Sequence, residues 1–272
     1  MRNWYDYILK KGKKNNLNRF DYTNETLFEP KFAKKHFKKK FFSKLEYAYK
    51  SFIYFRKNLN KKQKVFCIAS GWAHIEYFLS NTFKIIASDY NKSYINYFKR
   101  LGKKNLKYLK YDILQKEKHL KYKNYNQIII NNVEYLFNDK QMKILFKNLK
   151  KLGNKNTNFY IIFRSRDGII IKIIDKYLAY LEINIVQLLK KIQGKSYILT
   201  KNHHGFRRYK YEFLNLLKSN NFKVISVYED MYQTEYERLR IVRKLKLGRI
   251  LSFLFFKSHP YLNIIKFKLN YH

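Results

Sequence analysis

Four short apolar runs, Val65–Ala69, Ile85–Ala87, Ile128–Ile130 and Phe159–Phe163, restrict this chain more than anything else in it. Each is apolar at successive positions rather than alternate ones, so each has to be covered on both faces. Helical patterns lie between and after them. Met142, Leu145, Phe146 and Leu149 share one helix face, as do Tyr209, Phe213, Leu216 and Leu217, ahead of a further strand-like run, Phe222–Tyr228. Strands buried on both sides and separated by helices predict an α/β domain of doubly wound, Rossmann-like type, with a mostly parallel sheet and helices on both faces.

Local signals place the boundaries. Asn138 followed by Gln141 has the form of a capping box. Asn91 is suited to cap a helix through Leu101, with Gly102 where a left-handed residue is wanted. Before Lys61-Lys62-Gln63-Lys64 the chain is polar and lysine-rich, with Phe41, Leu45, Ala48, Phe52 and Phe55 at helical spacing. Residues 1–60 are therefore expected to form an N-terminal helical cap and residues 61–272 the main domain. Two segments, 168–206 and 231–261, interrupt the strand–helix alternation and read as insertions. The second is basic, with Arg238, Arg240, Arg243, Lys244, Lys246 and Arg249 ahead of the apolar run Ile250–Phe256. In a doubly wound fold such insertions shape the substrate pocket.

Composition excludes several classes. With 46% hydrophobic residues the chain has ample side chain to bury, which rules out a wholly disordered basic tail. A single cysteine excludes a disulfide framework and a Cys-based structural zinc site, and fits a reducing compartment. The longest apolar stretches, around Ile169–Ile174 and Ile250–Phe256, fall short of the ~20 residues a bilayer requires. The expected location is cytoplasmic, with peripheral attachment to a membrane as a variant of it. The 59 Lys and Arg against 19 Asp and Glu give a charge of +40, which has two readings. Lys, Asn, Ile, Tyr and Phe all have A/T-rich codons, so drift toward solvated lysines is one. A polyanionic partner, RNA or an anionic membrane surface, is the other.

The stretch Val65-Phe66-Cys67-Ile68-Ala69-Ser70-Gly71-Trp72-Ala73-His74 carries the most chemistry. A buried strand enters a turn of small residues and then a helix, which lets a ligand approach the backbone and offers it amide donors. An alanine can stand for a glycine in such a turn where φ stays negative. Asp89 closes the next strand 18 residues after Gly71, the offset at which an acid accepts hydrogen bonds from both hydroxyls of a ribose. Tyr111-Asp112-Ile113 follows the short strand Leu106–Leu109, where a polar residue can meet an adenine amine. The strand within Tyr125–Asn131 then opens into the polar loop Asn132-Val133-Glu134-Tyr135.

These four elements, in this order, resemble the class I S-adenosylmethionine-dependent methyltransferases over residues 60–230. The resemblance is greatest to the type 11 and type 12 branch, which acts on small molecules, saccharides and lipids. It implies a seven-stranded sheet, S-adenosyl-L-methionine as cofactor and no metal. It further implies that Ala69, Ser70, Gly71 and Trp72 line the methionine and ribose end. Asp89 would hold the ribose hydroxyls with Tyr90 beside the adenine, Asp112 and Ile113 the adenine edge and face, and Asn131 the border of the methionine moiety. The chain departs from the family in two places. The acid usual near the end of the first strand is replaced by Cys67, and the glycine-rich turn is reduced to Ala69-Ser70-Gly71-Trp72-Ala73.

The remaining candidates each have a plainer reading. His203 and His204 could serve as a general base that deprotonates an acceptor hydroxyl, or could lie in a polar surface loop; two adjacent histidines make a poor metal pair. Tyr135 and Glu134 could face the pocket. Arg164 and Arg166 could clamp an anionic group or simply be solvated. Cys67 reads as a small core residue, since a nucleophilic thiol needs exposure and a lowered pKa. The leading expectation is methyl transfer to an oxygen or nitrogen of a small-molecule, saccharide or lipid-linked acceptor. An RNA methyltransferase is the first alternative, favoured by the charge. It is opposed by Asn131-Asn132-Val133-Glu134, which lacks the Pro-Pro-aromatic element of exocyclic-amine methylases. The second is a noncatalytic protein with a degenerate cofactor turn that binds RNA or a membrane surface. A nicotinamide dehydrogenase ranks last, because His74 stands where the dinucleotide fingerprint expects a small residue.

Overall fold

The computed structural model describes residues 46–71, 73–90, 102–115, 125–165, 208–230 and 262–270, with Phe37, Phe42, Asp167, Leu188, Ile192 and Ile250. Trp72, Arg166, His203, His204, the helix expected from Asn91, and nearly all of the 1–45, 168–206 and 231–261 segments lie outside the described residues.

The elements follow in the order α1 (Glu46–Asn58), β1 (Val65–Ile68), α2 (His74–Leu79), β2 (Ile85–Asp89), β3 (Leu106–Lys110) and β4 (Gln127–Asn131). A single 3₁₀ turn (Glu134–Leu136) precedes α3 (Asp139–Leu152), β5 (Asn158–Arg164), α4 (Lys210–Ser219), β6 (Phe222–Asp230) and β7 (Leu262–Leu269). They build one seven-stranded sheet of order β3-β2-β1-β4-β5-β7-β6. β1 to β5 are parallel, and β7 runs antiparallel between β5 and β6. The mostly parallel Rossmann-like sheet expected from the apolar runs is the one found.

Both faces are covered, as successive apolar residues require. Val65, Cys67, Ile129, Tyr160 and Ile162 point into one layer with Ala48 and Phe55 of α1 and Ile75 and Leu79 of α2. Phe66, Ile68, Ile128, Ile130, Phe159, Ile161 and Phe163 point into the other, against Met142, Leu145, Phe146 and Leu149 of α3 and Phe213 and Leu217 of α4. The α1 helix is fixed across the first layer by Phe55 edge-on to Tyr160, Tyr54 against Tyr228, and an ion pair from Lys50 to Asp230.

The start of α3 has the capping box its sequence announces. Asn138 accepts the Gln141 backbone N–H, and Gln141 accepts that of Asn138, each at 3.0 Å. Gly102 takes the left-handed φ of 59° expected of it. The last strand is the element that pattern alone did not mark: Leu262–Leu269 pairs with both β5 and β6, with a bulge in β6 between Val224 and Ser226.

Candidate functional site

In this sheet order β1 is central, and the chain moves from it first toward β2 and later to β4 on its other side. A doubly wound sheet opens a crevice at such a reversal, outside the carboxyl ends of the strands. Ile68 pairs with Ile130, so Ala69 leaves the sheet beside Asn131, the last residue of β4, which still pairs with Ile162 of β5.

The turn after β1 is held from three sides. Ser70 N–H donates to Ser88 O at 2.8 Å, and Ala73 N–H closes the turn on Ser70 O at 2.7 Å. Gly71 N–H donates to Asp89 Oδ2 at 3.0 Å, and the Tyr108 hydroxyl, reaching over from β3, donates to Gly71 O at 2.7 Å. Ser88 Oγ–H donates to Cys67 O at 2.7 Å. The expectation that the alanines keep negative φ fails. Ala69, Gly71 and Ala73 have φ of 58°, 48° and 45°. A left-handed alanine costs roughly 1–2 kcal/mol, and a conformation of that kind persists only where its surroundings over-determine it. The hydrogen bonds to Ser88, Asp89 and Tyr108 are those surroundings. The turn therefore keeps a glycine-like path with only one glycine. A Cβ built on Gly71 would meet nothing within 4 Å, so this backbone faces open space.

The side chains along this edge are acidic. Among the described residues the buried carboxylates are Glu76, Asp89 and Glu134, and all three stand here, although the chain has only 19 acids against 59 bases. Asp89 ends β2 and is tied to the turn through Gly71. Glu76 projects from α2 and accepts from Asn131 Nδ2 at the end of β4. Burial, first, and the charge of Asp89 push the Glu76 carboxyl up to about 7, against hydrogen bonds from Ser70 and Asn131 that favour its charged form. Asn131 Oδ1 is buried without a hydrogen-bond partner. Cys67 is fully buried, and burial followed by the neighbouring Glu76 raises its thiol well above the usual range, which leaves it protonated and unsuited to nucleophilic attack.

The other candidates are placed as follows. Tyr90 is half-buried beside Asp89. Asp112 accepts the Leu114 N–H at 3.0 Å, a local turn that fixes its carboxylate. Ile113 is buried in the α3-side core, and its carbonyl accepts from Asn148 Nδ2 at 2.6 Å. Tyr135 lies half-buried in the 3₁₀ turn. That turn is latched by the buried Arg208, which donates to the carbonyls of Glu134 and Phe137 at 3.2 and 3.0 Å and pairs with Asp139 at 2.7 Å. Glu76, Tyr108, Ser88 and Arg208 went unmarked in the sequence. The available signal for Glu76 was an acid beside Ile75 on the inward side of a helix that must cover β1. Among the described residues no group of three or more His, Cys, Asp or Glu is placed to hold a metal ion, and no helix is long and apolar enough to cross a membrane.

The architecture is shared with many solved structures. An S-adenosylmethionine-dependent methyltransferase from Aquifex aeolicus aligns over 89% of this chain and 99% of its own, with TM-score 0.51 and 15% identity. One from Anabaena variabilis aligns over 82% and 83%, with TM-score 0.52 and 17% identity. One from Methanosarcina mazei aligns over 80% and 96%, with TM-score 0.52 and 9% identity. No protein-family model matches the sequence, and no curated protein does. The chain has the fold of the class I S-adenosylmethionine-dependent methyltransferases.

Proposed function

We propose that the protein binds S-adenosylmethionine at the carboxyl edge of β1, β2 and β4 and transfers its methyl group to an oxygen or nitrogen acceptor. The observation that carries this reading is the acidic edge itself. Glu76 and Asp89 are buried within electrostatic reach of each other beside an open glycine turn, and Glu134 is buried three residues past the end of β4, in a chain with only 19 acids. Such an edge favours a cationic ligand with hydroxyl donors and disfavours the pyrophosphate of a dinucleotide.

The residues fit the cofactor on that basis. Asp89, already oriented by Gly71 N–H, would hold the ribose hydroxyls, with Tyr90 beside the adenine and Asp112 and Ile113 at the adenine edge and face. Ala69, Ser70, Gly71 and Trp72 would line the ribose and methionine end, and Asn131 would border the methionine moiety. When bound, S-adenosylmethionine supplies a methyl group already activated on a sulfonium, so the protein's part is alignment, exclusion of water and, for a hydroxyl acceptor, removal of one proton. Tyr135, on the turn that Arg208 latches, would orient an acceptor. His203 and His204 are the candidates for the base. The acceptor is a small molecule, saccharide or lipid-linked substrate shaped by the 168–206 and 231–261 segments, the second of which suits an anionic lipid surface. The +40 charge favours a second reading, an RNA acceptor.

Isothermal titration with S-adenosylmethionine and, separately, with NAD tests the reading. Saturable binding of the first alone is expected, and Asp89→Ala is expected to weaken it by about 1–3 kcal/mol, the range for a lost charge-assisted hydrogen bond. Binding of NAD alone would replace methyl transfer by hydride transfer. Binding of neither would leave a noncatalytic protein. Retention on structured RNA at ~0.15 M salt, with no preference for liposomes, would favour the RNA acceptor.

A further inference from the structure

Lysine is spread over the whole chain, so its presence alone marks no surface. Exposed apolar side chains are not spread. Within the described helices and strands, the large hydrophobics left in solvent are Ile144 on α3, Tyr211 on α4, and Ile225 and Val227 on β6, at 42%, 60%, 45% and 36% exposure. Among the described residues of α1 and α2, which cover the other side of the sheet, there are none. α3, α4 and β6 are neighbours. Phe146 of α3 and Phe213 of α4 have ring centres 6.2 Å apart, and α4 is tied to β6 by the ion pair of Lys210 with Glu229. Val227 pairs with Ile265, a residue of the α3 and α4 layer, so its side chain points to that side.

The same surface is basic and short of free acid. Lys140, Lys143, Lys147, Lys150 and Lys151 are exposed and share one face of α3 with Ile144, and the exposed Lys218 follows Tyr211 two turns along α4. Like charges at these spacings repel, so α3 is destabilised by its own lysines until an anion meets them. The acids of the two helices, Asp139 and Glu212, are engaged with Arg208 and with the Tyr209 N–H. The occupant must therefore be anionic and must also accept single apolar side chains set among the lysines. RNA is gripped by arginine and by flat aromatic rings, and α3 exposes neither. Protein interfaces are depleted in lysine. The boundary of a lipid bilayer takes both groups, the ammoniums among anionic headgroups and the apolar side chains just beneath them, without shape complementarity.

We propose that the outer face of α3 and α4, continued onto β6, docks the protein on an anionic lipid surface. The proposal rests on the lipid-linked acceptor reading above for its purpose, although the docking itself needs no cofactor, and it uses other residues than the basic 231–261 segment. α3 starts beyond the 3₁₀ turn that follows β4, at the carboxyl edge of the sheet. Docking through its outer face brings the rim of the crevice to the headgroups, where a lipid-linked acceptor reaches it without leaving the membrane.

The test is co-sedimentation of the full chain with vesicles of phosphatidylcholine, alone or with about 30% phosphatidylserine, at ~0.15 M salt. Retention on the anionic vesicles only is expected. Each lysine at such a surface contributes about fivefold to partitioning, so Lys143→Glu with Lys147→Glu and Lys150→Glu should weaken retention about a hundredfold or more. Three reversals at exposed positions elsewhere, Lys57→Glu with Lys62→Glu and Lys84→Glu, should weaken it by less than about fivefold. Ile144→Asn with Tyr211→Ser leaves the charge alone and should weaken it about tenfold. Equal losses in the two triple variants would mean that net charge alone is read, and would overturn the docking surface. Absence of retention by the unaltered protein would overturn it too. So would tighter retention on structured RNA that the Lys143, Lys147 and Lys150 changes abolish and the Ile144 and Tyr211 changes leave intact, which would give the face to RNA. Titration of the same samples with S-adenosylmethionine is a separate readout: vesicle retention without cofactor binding would remove methyl transfer and leave the docking surface standing.

Discussion

Strand β4 begins and ends on a side-chain amide, and the fold treats the two in opposite ways. At the amino edge Gln127 is 1% exposed and closed on both atoms: its Oε1 accepts the Asn60 N–H at 2.7 Å and its Nε2 donates to Asn60 O at 2.9 Å. At the carboxyl edge Asn131 has its Nδ2 on Glu76 and its Oδ1 on nothing. The backbone follows the same division. The turn that leads into β1 has no residue with positive φ, whereas the turn that leaves it has Ala69, Gly71 and Ala73 in the left-handed region. For the two central strands the amino end is satisfied, while the carboxyl end keeps strain, a half-used amide and a carboxylate held near neutrality; farther along the amino edge, Asn158 Oδ1 is buried without a partner and Asn221 has a φ of 57°. Strain and unpaired groups cost stability, and at β1 and β4 they gather at the edge where a doubly wound sheet binds its ligand.

Substitutions should therefore separate by edge. The largest effect is expected from Gly71→Val. The added Cβ meets no protein atom within 4 Å, but valine is strained at a φ of 48°, so the change both fills the space before the turn and disturbs its path; cofactor affinity measured by titration should fall about a hundredfold or more, equivalent to about 2.7 kcal/mol. Tight binding by this variant would mean the ligand does not lie against the turn. At the opposite edge Gln127→Ala removes a buried side chain and leaves the Asn60 N–H and carbonyl unmet. Denaturant unfolding should show a loss of about 2–4 kcal/mol, with cofactor affinity for the folded protein within about twofold of the original. A large change in affinity would break the division between the edges.

Glu76 should reverse the usual sign of a charged-to-neutral change. Its folded-state pKa of about 7 lies above the ordinary 4.5, so the folded protein holds a proton that the unfolded chain has released. This group's contribution to stability is therefore full below pH 4.5, is lost as pH rises toward 7 and is level beyond it. Glu76→Gln removes that loss, so the ligand-free protein at pH 8 should gain on the order of 2 kcal/mol, with little change at pH 4.5. The smallest effect is expected from Ala73→Gly, which relieves a left-handed alanine while adding chain entropy to the unfolded state. The net change in unfolding free energy should be a gain of about 0.5–1 kcal/mol.

The contrast between edges also explains what the sequence could show. Four of the strands, the α3 capping box, the Phe213 and Leu217 stripe and Gly102 are local: burial on both faces, a helix start and a left-handed residue each leave a mark at the positions concerned. Asp89 was legible through its spacing from Gly71, and the structure joins the two directly. The β7 strand was not, since its assignment depends on pairing with β5 and β6 far away in sequence. Nor were the left-handed alanines, because alanine prefers negative φ and only the contacts to Ser88, Asp89 and Tyr108 force the exception. Glu76 illustrates the same limit. An acid in a six-residue helix looks like a solvated residue until β4 brings Asn131 against it.

The division between the edges is tested most directly by amide hydrogen exchange with and without saturating S-adenosylhomocysteine. Slowed exchange is expected at the turn after β1, residues 69–76, at the end of β2 around Asp89 and at Asn131–Asn132, with no change around Asn60 and Gln127. Protection confined to the amino edge, or none at the carboxyl edge under conditions where the ligand is bound, would contradict it.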